Sequence, residues 1–243
     1  MVKQGKLCVL ASGGIDSAVA LAEAARSAES VVPVYVRSGL VWERAEIYWL
    51  KRWLQILDSS DVAPLEILEL PVSDLYGDHW SVTGVEPPDD RSTDEATYLP
   101  GRNILLLAKA GVFAATNGCR AIVLGPLAAN PFPDATPPFF EAMATALGCG
   151  MGLDHRLPIE TPLAGLTKSE VVRRGAGFRL DLTFSCLDPK SEHAHCGACN
   201  KCAERQQGFR NAGVDDLTSY ATNDSGASRP TSRDRRGSVH PSA

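Results

Sequence analysis

The sequence predicts an α/β fold, in which a parallel sheet is flanked by helices, and two observations support this prediction. Short apolar runs with the length and composition of buried strands occur at residues 7–10, 31–36, 64–70 and 121–124. Alanine-rich or amphipathic stretches with helical spacing lie between them at residues 17–26, 45–57 and 103–116. Because strands that alternate with helices are typical of βαβ units, we expect right-handed crossovers and helices on both faces of the sheet. A ligand is then expected at the carboxyl ends of the strands.

Composition limits the class of protein. The 243 residues suit one domain, which we place at 1–221, followed by a tail at 222–243 whose polar composition predicts disorder. The formal net charge of −5 makes nucleic acid an unfavourable partner, although the tail carries several arginines. The chain contains no apolar run long enough to cross a membrane, and we expect a cytoplasmic protein. Two further stretches, 77–101 and the proline-rich 126–138, are predicted to be loops.

A glycine turn follows the first apolar run and precedes a helix. Gly13 and Gly14 allow a close backbone approach, and the first N–H groups of the next helix favour an anion. Ser12 and Ser17 add hydroxyl groups, whereas the Asp16 carboxylate would repel a phosphate unless Mg²⁺ lay between them. An ordinary strand-to-helix turn capped by Asp16 or Ser17 is the structural alternative. The candidate binding loop comprises Ser12, Gly13, Gly14, Ile15, Asp16 and Ser17.

The glycine turn differs from the two common nucleotide-binding motifs. It lacks the Gly-Lys-Ser/Thr ending of a P-loop and the Gly-x-Gly-x-x-Gly of a dinucleotide site. The full string SGGIDS, placed between a strand and a helix, resembles the pyrophosphate loop of the N-type ATP pyrophosphatases. That resemblance implies a loop that holds the β- and γ-phosphates of ATP while a substrate oxygen attacks the α-phosphorus.

Four cysteines near the end of the chain form the second motif. The spacing Cys186-x9-Cys196-x2-Cys199-x2-Cys202 lets four thiolates converge on one ion within segment 186–202. We predict a closed, structural zinc site, which has no open position for catalysis. An iron–sulfur cluster and a redox pair are the alternatives.

The remaining cysteines and the nearby histidines are predicted to have structural roles only. His193 and His195 flank the cluster and could replace one cysteine, but with four thiols present they are predicted to be surface-loop histidines. The other three cysteines lie in apolar or glycine-rich surroundings and are predicted to be core or near-core thiols; they are Cys8, Cys119 and Cys149.

Five stretches together resemble the 7-cyano-7-deazaguanine synthases of queuosine biosynthesis, over roughly residues 5–220. They are SGGIDS, YLPGRN (98–103), TPLAGLTKSEVVRRG (161–175), LTFSC (182–186) and CGACNKCAERQQGF (196–209). The resemblance implies a Rossmann-like, adenine nucleotide alpha hydrolase-like fold with a small zinc-binding segment. It also implies an ATP-dependent carbon–nitrogen ligase that converts 7-carboxy-7-deazaguanine and ammonia into the nitrile, with release of AMP and pyrophosphate. Mg²⁺ with ATP and a homodimer are implied as well.

The resemblance assigns roles to three charged side chains. Asp16 lies in the loop, Arg102 begins a helix after Pro-Gly, and Lys168 follows Leu-Thr as a second phosphate contact. We take all three as catalytic candidates. For Arg102 and Lys168 the alternative is a surface charge at a helix start, and Thr167-x-x-Glu170 also reads as a capping box.

Two segments depart from the family pattern and leave the acceptor open. Residues 37–43 (RSGLVWE) keep only the glycine of the family's string, and residues 126–138 match its second string only through Pro133-Asp134. In the family this region lines the base pocket, so the candidate pocket residues are Trp42, Asn130, Phe132 and Asp134. Core packing for the aromatic residues and turn formation for the others are the alternatives.

Other activities fit the same motifs. One is the adenylation of a different carboxylate, or of an RNA base before amidation or thiolation. Another is the attachment of a deazaguanine to a protein amine, and a third is a non-enzymatic zinc module. The intact SGGIDS argues against the last of these, because a pure binding module has no use for a pyrophosphate loop.

Overall fold

The sheet contains five parallel strands: β1 (Lys6–Leu10), β2 (Ser30–Arg37), β3 (Glu66–Glu69), β4 (Ala121–Val123) and β5 (Ile159–Glu160). Their order across the sheet is β3-β2-β1-β4-β5. This computed structural model of the chain describes residues 5–57, 59–190 and 193–221. The predicted α/β fold with a parallel sheet is confirmed. Residues 222–243, for which a disordered tail was predicted, lie outside the described residues.

Eight α-helices lie in the described part of the chain: α1 (Ile15–Ser27), α2 (Glu43–Leu57), α3 (Ser73–Tyr76), α4 (Trp80–Thr83), α5 (Arg102–Thr116), α6 (Pro137–Gly150), α7 (Lys168–Arg174) and α8 (Asn200–Ala212). Three short 3₁₀ helices span Asp94–Thr97, Pro133–Ala135 and Leu180–Leu182. None of the described helices is long and apolar enough to cross a membrane.

The two faces of the sheet carry separate hydrophobic cores. Leu7 and Val9 of β1 belong to a core that includes buried residues of α1, α2, α7 and α8. Cys8, which points to the opposite face, packs with buried residues of α5 and α6. This alternation follows from the two-residue period of a strand. Both faces of β1 are therefore buried, as expected for a central parallel strand.

The strand order reverses at β1, which lies between β2 and β4. In open parallel sheets the loops diverge at such a point and leave a crevice outside the carboxyl ends of the strands. The turn after β1 and the turn after β4 meet there: a Cβ added to Gly125 would lie 3.0 Å from the backbone oxygen of Asp16. This close approach requires a glycine after β4 and fixes the position of the candidate binding loop.

Three predictions about local structure were wrong in part. The stretch 77–101 contains α4 and a 3₁₀ helix, and α6 begins inside the predicted loop 126–138. The prolines at 137 and 138 do not prevent this, because the first turn of a helix has no partners for its N–H groups. The Thr136 side chain caps α6 by accepting a hydrogen bond from Phe139 N. Cys149 is exposed on α6, not near the core, whereas Cys8 and Cys119 are buried as predicted.

Candidate active site

The glycine turn holds the first turn of α1 open to a ligand. Gly13 has φ +86°, a backbone conformation that favours glycine, and Gly14 is the N-cap of α1. Phe184 N donates a 2.7 Å hydrogen bond to Gly13 O, which anchors the turn to the segment before the cysteines. No described side chain caps α1. Its first N–H groups are therefore available to an anion at the positive end of the helix dipole.

Asp16 and Lys168 form an ion pair at this turn. Lys168 Nζ lies 2.7 Å from Asp16 Oδ2 and 3.0 Å from Glu204 Oε1, so one ammonium group bridges α1 and α8. Burial alone would lower the pKa of Lys168, but the carboxylates of Asp16 and Glu204 outweigh it and raise the pKa above its ordinary value. Lys168 is consequently a positive charge at neutral pH. Asp16 Oδ1 is buried and has no hydrogen-bond partner among the described residues.

Glu204 extends this network to a second lysine. Its Oε2 lies 2.8 Å from Lys201 Nζ, and Lys201 lies 3.6 Å from Asp94 Oδ1. Burial raises the pKa of Glu204, but the ammonium groups of Lys168 and Lys201 outweigh burial and lower it to about 2. Glu204 therefore stays ionised and holds both lysines at the cavity wall.

Arg102 begins α5 and faces the same space. Its guanidinium lies 5.9 Å from the centre of the Trp42 ring. Its Nε is buried and has no hydrogen-bond partner among the described residues. An unpaired buried N–H is costly, so this donor is suited to a ligand atom.

Two neighbouring cavities open at the carboxyl ends of the strands. The larger cavity, of about 470 Å³, is lined by loop residues, by Arg102 and Lys168, and by aromatic side chains. The smaller cavity, of about 230 Å³, is lined by Leu10, Val34 and Val36 at the ends of β1 and β2. The residues that line both cavities are Ser12, Asp16, Ser17, Glu46, Arg102, Gly125, Pro126 and Asn130.

The predicted pocket residues divide into two groups. Trp42, Asn130 and Phe132 line the larger cavity. Asp134 lies outside that lining, because its carboxylate accepts a 2.9 Å hydrogen bond from Asn103 N in the first turn of α5. Asp134 is buried within the short 3₁₀ helix that follows Phe132. Asp134 thus stabilises the start of the helix that carries Arg102.

Sequence reasoning did not identify Trp80, which lies beside Trp42. The centres of the two rings are 5.5 Å apart and the rings are tilted by 31°. Both rings line the larger cavity, as does Phe132, whose ring stacks on that of Tyr98. A planar, aromatic ligand fits a space bordered by such rings. The sequence signal that could have identified Trp80 is a lone tryptophan within the predicted loop 77–101.

Glu46 was also missed, although it lines both cavities. It belongs to the first turn of α2, where a carboxylate is ordinarily attributed to the helix dipole. Tyr35 OH donates a 2.6 Å hydrogen bond to Glu46 Oε2. Burial is the main cause that raises the pKa of Glu46, to about 7, against the opposing effects of Arg102 and of Tyr35.

The four predicted cysteine ligands converge at one point. Each is buried, and their sulfur atoms all lie within 4.8 Å of one another. Backbone N–H groups donate to three of the sulfurs, for example Leu187 N to Cys199 Sγ at 3.3 Å and Cys196 N to Cys186 Sγ at 3.2 Å. These contacts stabilise negative charge on sulfur, as expected around a bound metal ion. The group could therefore hold a metal.

His195 is not a surface residue, and that prediction was wrong. It is only 2% exposed, and its Nε2 accepts a 3.2 Å hydrogen bond from Ser185 N. Its ring centre lies 4.4 Å from that of Phe184. Burial, with a contribution from the Arg205 charge, lowers the pKa of His195 to about 3, so the imidazole is neutral. His195 therefore supports the segment that anchors the glycine turn.

Arg205 supports the same segment from α8. It is 1% exposed, and its guanidinium donates to Thr183 Oγ1, Leu180 O and Thr218 Oγ1 at 2.6 to 3.0 Å. The α8 helix, whose N-cap is Cys199, thus carries Cys202, Glu204 and Arg205 and links the cysteine cluster to the cavity.

Comparison with known proteins gives matches over most of the chain. A family model described as "Queuosine biosynthesis protein QueC" matches residues 6–213. A 7-cyano-7-deazaguanine synthase of Myxococcus xanthus is 33% identical over 234 residues, which cover 90% of this chain and 98% of that protein. One from Syntrophobacter fumaroxidans is 35% identical over 232 residues, which cover 88% of this chain and 96% of that protein. A solved structure of a predicted subunit of tRNA methyltransferase from Methanocaldococcus jannaschii has a TM-score of 0.49 and 12% identity, and covers 90% of this chain and 94% of that one.

The family match spans most of the chain and includes every candidate site residue from Ser12 to Cys202. The relatives match over nearly their full length at 33–35% identity. The chain therefore belongs to the QueC family of queuosine biosynthesis proteins, whose curated relatives are 7-cyano-7-deazaguanine synthases.

Proposed function

We propose that this enzyme is an ATP-dependent carbon–nitrogen ligase that converts 7-carboxy-7-deazaguanine and ammonia into 7-cyano-7-deazaguanine, with release of AMP and pyrophosphate. The observation that carries the proposal is the Asp16–Lys168 ion pair at the open first turn of α1, in a cavity that is also lined by Arg102, whose Nε has no hydrogen-bond partner among the described residues. This arrangement suits a polyphosphate. The family relationship identifies the acceptor.

In the proposed complex the triphosphate lies on the glycine turn and adenosine enters the smaller cavity. The N–H groups of α1, with Lys168 and Arg102, would stabilise the charge that develops on the departing pyrophosphate. Asp16 Oδ1 has no hydrogen-bond partner among the described residues, and a carboxylate oxygen suits Mg²⁺, so Asp16 is the residue proposed to hold this ion. Mg²⁺ would supply charge neutralisation between the carboxylate and the phosphates.

The acceptor is proposed to lie in the larger cavity, against the rings of Trp42 and Trp80. The deazaguanine ring system is planar and would contact their faces. Adenylation replaces a poor leaving group, the carboxylate oxygen, with AMP. Ammonia then displaces AMP to give an amide, and a second adenylation allows dehydration to the nitrile.

Zinc is the metal that we propose for the cysteine cluster. Four thiolates around one tetrahedral zinc ion lie about 3.8 Å apart, given a Zn–S distance of about 2.3 Å. Two sulfur pairs, Cys196–Cys202 and Cys186–Cys199, are each 3.9 Å apart. A four-iron cluster would separate the sulfurs further, because each thiolate binds a different iron. The distances favour a single ion, which would be structural.

We also propose that residues 1–221 act as one domain, that the enzyme is cytoplasmic and that it forms a homodimer. In support of the dimer, α5 exposes Ile104, Ala108 and Val112 at four-residue spacing. Light scattering of the purified chain at several concentrations would test for two copies. A constant monomer mass would contradict this part of the proposal.

A substrate-dependent pyrophosphate assay tests the proposed reaction. Purified, metal-loaded protein is incubated with ATP, Mg²⁺ and 7-carboxy-7-deazaguanine, with and without ammonia, while mass spectrometry follows the deazaguanine. We expect pyrophosphate, AMP and a nitrile that depends on ammonia. Adenylate without nitrile would indicate a different amine donor. An absence of turnover from folded protein would refute this acceptor, and other carboxylates or an RNA base would be tested next.

Replacing Trp80 with alanine tests the position of the acceptor. We expect the KM for the carboxylate to rise about tenfold, because stacking on an aromatic ring contributes about 1–3 kcal/mol per base. The KM for ATP should change little. Leu75 on α3 is an exposed apolar residue outside the cavity lining, so Leu75→Ala is the matched control. An equal rise in both KM values for Trp80→Ala would contradict the assignment.

A further inference from the structure

The reacting atoms of the proposed reaction must meet where the two cavities join. Adenosine in the smaller cavity and the acceptor in the larger one place the α-phosphorus and the carboxyl carbon between them. In the part of the chain that the structure describes, only two carboxylates, Asp16 and Glu46, are among the residues that line both cavities. Asp16 is paired with Lys168. Glu46 therefore lies where the reacting atoms are expected to meet, and the proposed function gives it no role.

The surroundings of Glu46 leave its carboxylate able to accept a proton. Its one described hydrogen-bond donor is Tyr35 OH, which binds Oε2 at 2.6 Å. The charged and titratable groups that face it are Tyr35 on β2, Glu43 one turn earlier on α2, and Arg102 at the start of α5. The residue is only 9% exposed, yet it lines both cavities.

The steps of the reaction differ in their need for a base. Attack of the acceptor carboxylate on the α-phosphorus forms one P–O bond and breaks another, and no proton is released. Attack of ammonia on the acyl adenylate forms a C–N bond, breaks the C–O bond to AMP and releases one proton. In conversion of the amide to the nitrile, the amide oxygen attacks the α-phosphorus of a second ATP, which forms an O–P bond, breaks the bond to the β-phosphate and releases pyrophosphate. The C–O bond then breaks, AMP leaves, and two N–H protons are released. The nitrogen steps therefore need a base.

We propose that Glu46 is the general base that accepts the protons from nitrogen during amide formation and dehydration. This inference rests on the proposed function. The Glu46 carboxylate takes a proton from the nitrogen of ammonia during amide formation, and from the amide nitrogen during dehydration. Each proton then passes to solvent through the open cavity. AMP leaves with the electron pair of the C–O bond. Burial sets the pKa of this carboxyl to about 7, close to the working pH of the cell, where a general base is most effective.

The change Glu46→Gln separates the nitrogen steps from adenylation. The glutamine keeps the size of the side chain and can still contact Tyr35, but it cannot accept a proton. We expect ammonia-dependent nitrile formation to fall by about 100-fold or more. Carboxylate-dependent exchange of labelled pyrophosphate into ATP should stay within a few-fold of wild type, since that step releases no proton.

Glu43→Gln is the matched control, because it removes a buried carboxylate one turn earlier on the same helix. Glu43 accepts hydrogen bonds from the backbone N–H groups of Ser38 and Gly39 and lies outside both cavity linings. We expect this variant to keep the wild-type ratio of nitrile formation to pyrophosphate exchange.

A Tyr35→Phe variant provides a second test that does not remove the base. The hydrogen bond from Tyr35 stabilises the ionised carboxylate, so its loss should raise the pKa of Glu46. The midpoint of the pH profile for nitrile formation should move to higher pH, while that for pyrophosphate exchange stays fixed. Titration of ammonia affects wild type and variant equally.

The outcomes distinguish this inference from the proposed function. Wild type that forms no nitrile would refute the proposed function, and the inference with it. If wild type is active, nitrile formation by Glu46→Gln within a few-fold of wild type overturns the role of Glu46. An equal loss of exchange and nitrile formation also overturns it, because Glu46 would then only shape the cavity. Should Glu46→Gln fail to fold, an unchanged pH profile for Tyr35→Phe overturns the inference.

Discussion

Asp16→Asn is expected to lower substrate-dependent pyrophosphate release by about 100- to 1,000-fold. Asparagine has the same shape, but it cannot neutralise the Lys168 ammonium 2.7 Å away, and its side chain is a poor ligand for Mg²⁺. Asp16 Oδ1 is buried and no described residue forms a hydrogen bond with it, so the free-energy cost of burying this oxygen is offset when a ligand binds. Steady-state release of pyrophosphate at saturating ATP and acceptor measures the effect.

The matched control for Asp16 is Glu23→Gln on the same helix. Glu23 pairs with Arg174 at 3.0 Å, which links α1 and α7 as Asp16 and Lys168 do, but on the side away from the cavities. We expect near wild-type turnover and a change in unfolding free energy within about 1 kcal/mol. Should Asp16→Asn retain full turnover while folded, Asp16 has no part in phosphate chemistry.

The elements that sequence predicted well are those whose signal is local. SGGIDS combines a turn that requires glycine with the start of a helix, and the observed φ of Gly13 and the N-cap at Gly14 follow directly. The capping box at Thr167–Glu170 likewise forms as its spacing predicts. Apolar runs predicted β1, β2 and β4 because buried parallel strands need continuous apolar composition.

The residues that sequence missed owe their position to tertiary packing. Glu46 and Glu204 lie on helices, where a carboxylate is ordinarily solvated. The approach of β2 and α5 buries Glu46, and the approach of α7 brings Lys168 to Glu204. Trp80 contacts Trp42 because a four-residue helix forms in an apparent loop. Asp134 was assigned to the pocket by its place in the chain, and in the structure its carboxylate accepts a hydrogen bond from Asn103 N. No local pattern encodes these contacts.

Cys199→Ser is expected to remove the bound metal and to lower the unfolding free energy by about 4 kcal/mol or more. The thiolate is one of four ligands of the proposed zinc site, and a serine hydroxyl is neutral and a weak ligand for zinc. Cys199 is also the N-cap of α8 and accepts a hydrogen bond from Leu187 N. Metal content by mass spectrometry and thermal unfolding of the same preparation measure both effects.

Cys149→Ser is the control, because Cys149 is an exposed thiol outside the cluster. We expect this substitution to leave metal content and Tm unchanged. We expect loss of the metal to lower activity as well, because α8 also carries two residues that support the site. Glu204 lies 3.0 Å from Lys168, and Arg205 donates hydrogen bonds to the segment that anchors the glycine turn. Wild type stripped by a chelator should therefore lose pyrophosphate release together with stability. Full metal content and wild-type Tm in Cys199→Ser would refute the structural metal site. A visible absorption band from iron in the wild type would show that the cysteines hold an iron–sulfur cluster instead of zinc.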